Sequence, residues 1–255
     1  MIRIVRSPEP PALQNVRVRM LAAARSALNA GTKIPFAAYD VVKQDLATMQ
    51  HLKCCYCEKR EEQAKYRDVD HHRPKAPYWW LAWTWENLLF SCIDCNRDEK
   101  RDQYPLAAGA TQLVAEQQAP GAEVPLLIDP SDPAFVPTKE IEFRREKING
   151  KERWVPYGLT ARGQKTVEVC GLGRAALLDL YAWHVVDIVR PKLADVFRAV
   201  ENKDQPAVFQ AWGTAKRGLL NPARPFAALS HDAMKTLVRA DLRDEYRLTL
   251  EMPGS

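Results

Sequence analysis

Two Cys-x-x-Cys pairs, Cys54/Cys57 and Cys92/Cys95, with 34 residues between them, constrain this chain more than any other feature. A tight turn brings the sulfurs at positions i and i+3 together. Two such knuckles supply the four thiolates of a closed tetrahedral zinc site, which would clamp the intervening segment at both ends. The chain has six cysteines, at 54, 55, 57, 92, 95 and 170, and five of them fall in one 42-residue window. A disulfide framework would spread them along a short secreted chain, so the clustering points to metal. Cys55 would chelate poorly beside Cys57 and reads as a packing thiol, and the isolated Cys170 reads as a small buried residue. A redox use of the motif fits less well, because the pairs are duplicated and lack a βαβ setting.

At 255 residues the chain suits one large domain or two small ones. No apolar run approaches the ~18 residues of a membrane span. The start, MIRIVRSPEPPAL, has charge but no apolar core of a secretory signal. These features predict a cytoplasmic protein with no membrane partner. The net charge of +5 permits nucleic-acid binding without requiring it.

The pattern along the chain predicts a short strand at 2–6, a helix at 12–29 stopped by Gly31, and a helix at 37–51 with Val41, Leu46 and Met49 on one side. Residues 107–124 are small and polar and read as a connecting loop or surface insertion, and 125–133 as a short buried run ended by Pro and Asp turns. Residues 139–157 read as a hairpin turning at Asn149-Gly150. Helices are expected at 160–170, 173–202 (bent at Pro191), 204–218 and 230–246. The fold class is therefore α+β and mostly helical. It divides into an N-terminal helical arm (1–50), a zinc-stabilised core (51–108) and a C-terminal, mostly helical region (109–255).

Between the knuckles lies Asp68-Val69-Asp70-His71-His72-Arg73-Pro74-Lys75, followed by Asn87 and by Asn96 directly after Cys95. An acid, an imidazole and an amide so arranged can build an open metal site. Asp70 offers a hard oxygen suited to Mg²⁺ or Mn²⁺, Asn96 can add an amide oxygen, and an imidazole off the metal can deprotonate water. Two registers are open: Asp70 as ligand with His71 as base, or His71 as ligand with His72 as base. Tyr78, Trp79, Trp80, Trp83 and Trp85 read as packing for a small hairpin, with base stacking as the alternative. Arg73, Lys75, Arg97, Lys100 and Arg101 flank the site as phosphate contacts or as a solvated face. His184 and His231 lie in helical segments and read as structural.

DVDHHRPK, WENLLFSC and CIDCNRDEK, in this order, resemble the motif of HNH (ββα-metal) nucleases, with Asn in the third position. The resemblance implies a β-hairpin and a helix gripping one divalent cation. The family's Pro three residues after the base matches Pro74 and favours the first register. Asp70 and Asn96 would then bind the catalytic Mg²⁺ or Mn²⁺, His71 would activate water, Asn87 would hold the hairpin loop and orient His71, and Cys54, Cys57, Cys92 and Cys95 would hold a structural Zn²⁺. His72, Arg73, Lys75, Arg97 and Lys100 would contact substrate. The segments CCYCEKR, PLLIDPSDP and GLTARGQKTVEVCGLGRAAL extend the resemblance, over about residues 54–180, to HNH proteins of the PtuB type from Septu anti-phage and some retron systems. Lys100 sits one residue later than that pattern expects. The implied function is a metal-dependent endonuclease, cutting DNA in preference to RNA, acting in anti-phage defence with a PtuA-like ATPase. The alternatives are a zinc-stabilised nucleic-acid-binding module without catalysis, and an HNH nuclease that cleaves RNA or tRNA.

Overall fold

The computed structural model describes residues 1–252. The chain is α+β, with helices predominating over two separate two-stranded sheets. It forms two compact units, one of Ile4–Phe135 and one of Val136 onward together with Met1–Arg3. The sequence division at 50/51 and 108/109 is not the one the packing makes. The expected arm and core share a single hydrophobic cluster, and the 109–124 segment packs with them.

In the first unit, helix α1 (Pro11–Asn29) starts with proline at its first position, where the missing N–H costs nothing. It buries Leu13, Met20 and Ala24, spaced by seven and four residues on one face. The expected helix at 37–51 is split into a 3₁₀ turn (Tyr39–Val42) and helix α2 (Lys43–Met49). Ala38, at φ 63°, lies outside any helix, and Val42 rather than Val41 faces the core. Strand β1 (Arg67–His71) pairs antiparallel with strand β2 (Leu88–Cys92), setting Arg67 opposite Cys92 and His71 opposite Leu88. A π-wound helical segment, Asp94–Lys100, follows at once. Residues 2–6 form no strand. Instead the Arg6 guanidinium donates to the carbonyls of Trp85, Glu86 and Leu88, a side-chain staple that a period-two pattern cannot reveal.

The five aromatic rings of 78–85 are all buried, as the packing reading expects. The 107–124 segment is less peripheral than its composition suggests. Its Glu123 carboxylate accepts from the Tyr78 hydroxyl (2.6 Å) and from Arg73 (2.8 Å), and its Gln117 carbonyl accepts from Trp80 Nε1 (2.8 Å). The segment is thereby tied over the aromatic cluster.

In the second unit, a short helix α3 (Pro137–Glu140) leads into strands β3 (Ile141–Ile148) and β4 (Lys151–Gly158). Asn149 and Gly150, at φ 52° and 77°, make the two-residue turn whose twist matches the hairpin. Helix α4 (Ala161–Val169) is capped by Thr160, whose hydroxyl accepts from the Gly163 amide. Helix α5 (Ala175–His184), a π-wound turn (Val185–Val189) and helix α6 (Arg190–Glu201) follow in succession. The wide turn comes just before Pro191, where the missing N–H and the ring disfavour ordinary α geometry. Helices α7 (Gln205–Leu219), α8 (Ala227–Leu237) and α9 (Ala240–Glu245) complete the unit, the expected 230–246 helix being broken at Val238–Arg239. His184 bonds Ser230, and His231 bonds Asp232. Cys170 is buried. No helix among the described residues is long and apolar enough to cross a membrane.

Candidate active site

Strand β1 reads Arg-Asp-Val-Asp-His, four polar residues in five, yet all five are buried. Burying polar groups is unfavourable unless each finds a partner, so the strand is a row of obligations met by neighbouring elements. Arg67 donates to the carbonyls of Glu61 and Glu62. Asp68 takes a bidentate pair from Arg97 (2.6 Å each) and a bond from Asn96 Nδ2 (3.2 Å). Asp70 accepts from Lys100 Nζ (3.0 Å) on Oδ1 and from the Tyr56 hydroxyl (2.6 Å) on Oδ2. His71 Nε2 meets the Ala82 carbonyl at 2.9 Å.

Asp68, Asp70 and His71 line one cleft of about 730 Å³ together with Lys75, Asn96 and Arg97. A carbonyl only accepts, so the Ala82 bond places the proton of the neutral ring on Nε2 and leaves Nδ1 as a lone-pair acceptor. Burial, reinforced by Lys75, lowers the His71 pKa to about 4, so the imidazole is neutral at pH 7. Asn87 makes no hydrogen bond to the His71 ring among the described residues. It fixes the loop between the strands: Oδ1 accepts from Arg73 N (2.8 Å), and Nδ2 donates to the carbonyls of Arg73 (3.0 Å) and Leu81 (3.1 Å). Leu81 precedes Ala82, so Asn87 acts on His71 through the loop that carries its acceptor.

Of the five expected substrate contacts, His72 and Lys100 are buried and Arg73 is held in an ion pair, and none of these three lines the cleft. His72 is 1% exposed, with its ring edge-on to Tyr104, and does not line the cleft. Lys100 is fully buried against Asp70 and the His71 carbonyl. Arg73 is ion-paired to the buried Glu123, which anchors the 107–124 segment. Lys75 and Arg97 do reach the cleft, Arg97 with its side chain 64% exposed. The sequence reading singled out neither Asp68 nor Tyr56. Asp68 was detectable in principle, since positions 68 and 70 point to the same face of a strand. Tyr56 carried no signal, because its partner is 14 residues away.

The cysteine quartet is assembled by the hairpin. The sulfurs of Cys54, Cys57, Cys92 and Cys95 all lie within 4.8 Å of one another and are buried. The Cys57–Cys92 separation is 3.8 Å. Four sulfurs at ~2.3 Å from a zinc ion would be ~3.8 Å apart at the edges of a tetrahedron, so the quartet fits such an ion. The knuckle 54–57 is seated against β2. The Gln50 amide bonds both the N–H and the carbonyl of Phe90, as a strand neighbour would, and Cys55 N donates to Phe90 O. The second knuckle follows from β2 running into the π-wound segment.

Asp70 and Asn96 fit a hard divalent ion by chemistry. Both line the cleft, and with Asn96 Nδ2 turned to Asp68, its amide oxygen is uncommitted among the described residues. The cleft is otherwise charge-balanced. Lys43, Lys75, Arg97 and Arg101 face Asp40, Asp68, Asp70 and Asp102.

No protein-family model matches the chain. It is 31% identical to "Septu protein PtuB" of Bacillus mycoides (strain KBAB4) over 215 residues, covering 76% of this chain and 70% of that protein. A second protein of that description, from Bacillus thuringiensis, is 46% identical over 56 residues, 22% of each chain.

Proposed function

The chain belongs to the Septu PtuB family, and from that premise we propose that it is a metal-dependent HNH endonuclease hydrolysing phosphodiester bonds, DNA in preference to RNA. Its role would be that of nuclease effector in an anti-phage system, working with a PtuA-like ATPase. One observation carries the reading. The His71–Ala82 bond leaves Nδ1 of a neutral imidazole free to accept, on a residue that lines one cleft with Asp70 and Asn96. The buried His72 supports the register with His71 as base.

In this reading His71 Nδ1 takes the proton of a water molecule as its oxygen attacks phosphorus, and the bond to the 3′-oxygen breaks. A divalent cation held by Asp70 and Asn96 would stabilise charge on the phosphate and on the leaving oxygen. Asn87 keeps the loop that orients His71, Tyr56 and Lys100 keep the Asp70 carboxylate in place, and the cysteine quartet holds a structural zinc. Protein purified with its partner should nick supercoiled plasmid in Mg²⁺ or Mn²⁺, and His71→Ala should abolish nicking without loss of fold. Full cleavage by His71→Ala would remove the assignment. Binding without metal-dependent turnover would favour the non-catalytic module, and preferential cutting of structured RNA would move the substrate.

A further inference from the structure

The positive charge of this protein is not carried by the unit that holds the candidate active site. Residues 4–135 contain 16 Lys and Arg against 17 Asp and Glu, a net −1. The other unit contains 21 against 15, a net +6. Within the first unit the cleft is lined by four cations and four carboxylates, and three cations in or near it are ion-paired. Arg97 is bidentate on Asp68, Lys100 is buried on Asp70, and Arg73 is paired with Glu123. A polyanion gains little net attraction from a cleft in which Lys43, Lys75, Arg97 and Arg101 are matched in number by Asp40, Asp68, Asp70 and Asp102, because affinity for nucleic acid comes chiefly from phosphates neutralised by Lys and Arg.

The second unit has a groove of about 670 Å³ between β3 and the α8–α9 break, lined by Arg144, Arg145, Lys235, Arg239 and Arg243. Arg144 and Arg145 are about half exposed and Arg239 is 80% exposed at the side chain. Glu142 and Asp241 pair with Arg144 and Arg239, Glu152 lies 3.6 Å from Arg145, and Asp232 accepts from the Phe143 amide; five cations against the lining carboxylates Glu142, Asp232 and Asp241 leave the groove net positive. Lys235, Arg239 and Arg243 follow at intervals of four residues. The break at Val238 is held by Arg243 Nε donating to its carbonyl. Four of the five cations are guanidinium groups, which match phosphate oxygens with two parallel donors.

We infer that this groove on the second unit is a phosphate-backbone binding face, and that it supplies most of the protein's affinity for nucleic acid. The inference rests on the nuclease reading for its ligand, but its test needs no cleavage. Full-length His71→Ala protein would be titrated onto a fluorescently labelled DNA duplex by anisotropy over a series of salt concentrations. Lys235→Glu with Arg239→Glu should weaken binding about tenfold or more at moderate salt. The same pair should flatten the log–log salt slope by roughly two, at about 0.9 for each phosphate left unneutralised. Adding Arg243→Glu should extend the loss. Circular dichroism and the melting midpoint would confirm that each variant folds.

A control with the same change of net charge elsewhere in the unit, Arg198→Glu with Lys203→Glu, should cost much less. An equal loss in the control would overturn the assignment to this groove. So would unchanged duplex binding in the groove variant, including the case in which it instead loses its protein partner, which would make the face an acidic-protein dock. Metal-dependent nicking by the His71-intact protein, measured in parallel, separates the two ideas. If nicking persists while the groove variants bind normally, only the groove fails. If neither nicking nor duplex binding is found with the unsubstituted groove, both fail.

Discussion

The Tyr56 hydroxyl donates to Asp70 Oδ2 at 2.6 Å, both residues being 1% exposed. Tyr56 lies inside the first cysteine knuckle, between Cys55 and Cys57, so the element that would hold zinc directly steadies a carboxylate of the candidate catalytic site. Lys100 completes the arrangement from the end of the π-wound segment, three residues beyond Arg97, which holds Asp68. Two carboxylates on one strand are thus oriented by two cationic side chains from one short helix and one phenol from the knuckle.

Because outer hydrogen bonds of this kind tune metal ligands by about 10–100-fold, Tyr56→Phe should leave the fold intact and lower Mn²⁺ affinity by about tenfold. Nicking should fall in parallel. Manganese titration followed by electron paramagnetic resonance checks the first point, and an unchanged dissociation constant would exclude a positioning role.

Lys100 neutralises a buried carboxylate. Lys100→Met removes the cation and leaves Asp70 as an uncompensated buried charge, which should cost about 3 kcal/mol or more without divalent ions. Adding Mn²⁺ should recover part of that loss, so the rise in melting midpoint on adding metal should be larger in Lys100→Met than in the unsubstituted protein. Equal shifts would argue that no cation reaches Asp70.

Asn87→Ala deletes three hydrogen bonds that fix the loop between β1 and β2. Leaving the buried partner groups unpaired should destabilise the protein by about 2–3 kcal/mol in denaturant titration. Limited proteolysis should cut first within residues 73–82, where the loop is released. A normal midpoint with lost nicking would instead make Asn87 a direct participant in the chemistry.

Elemental analysis should find about one zinc per chain. Cys92→Ser should reduce it and lower thermal stability sharply, because metal-binding energy is folding energy where a small hairpin has little core of its own. Cys170→Ser, outside the quartet, should retain the zinc. A Cys92→Ser protein that stays zinc-loaded and fully stable would dismiss the clamp.

Local spacing in the sequence was enough for the cysteine quartet, the Asn149-Gly150 hairpin, α1 and the helical stretches at 160–170, 173–202 and 204–218, since each is set by i, i+3 or i, i+4 relationships or by one turn; the expected 230–246 helix is broken at Val238–Arg239. Spacing also placed Asp70, His71 and Asn96 as one set, and those three line one cleft. It erred where long-range partners decide. The 2–6 strand is replaced by the Arg6 staple, and the 107–124 segment is drawn onto the aromatic cluster by Glu123. His72 and Lys100 are internal groups, and Arg73 is partly buried on Glu123, away from the cleft.

The amino-acid order alone determined which side chains are available to hold metal and move a proton, because those chemistries depend on residue type and short spacing. Only the tertiary structure decided which of the charged groups face the cleft and which are buried as partners, since burial is a property of elements packed from distant parts of the chain. It also decided that the net charge resides on the unit without the cleft, as composition sums over a chain that folding divides.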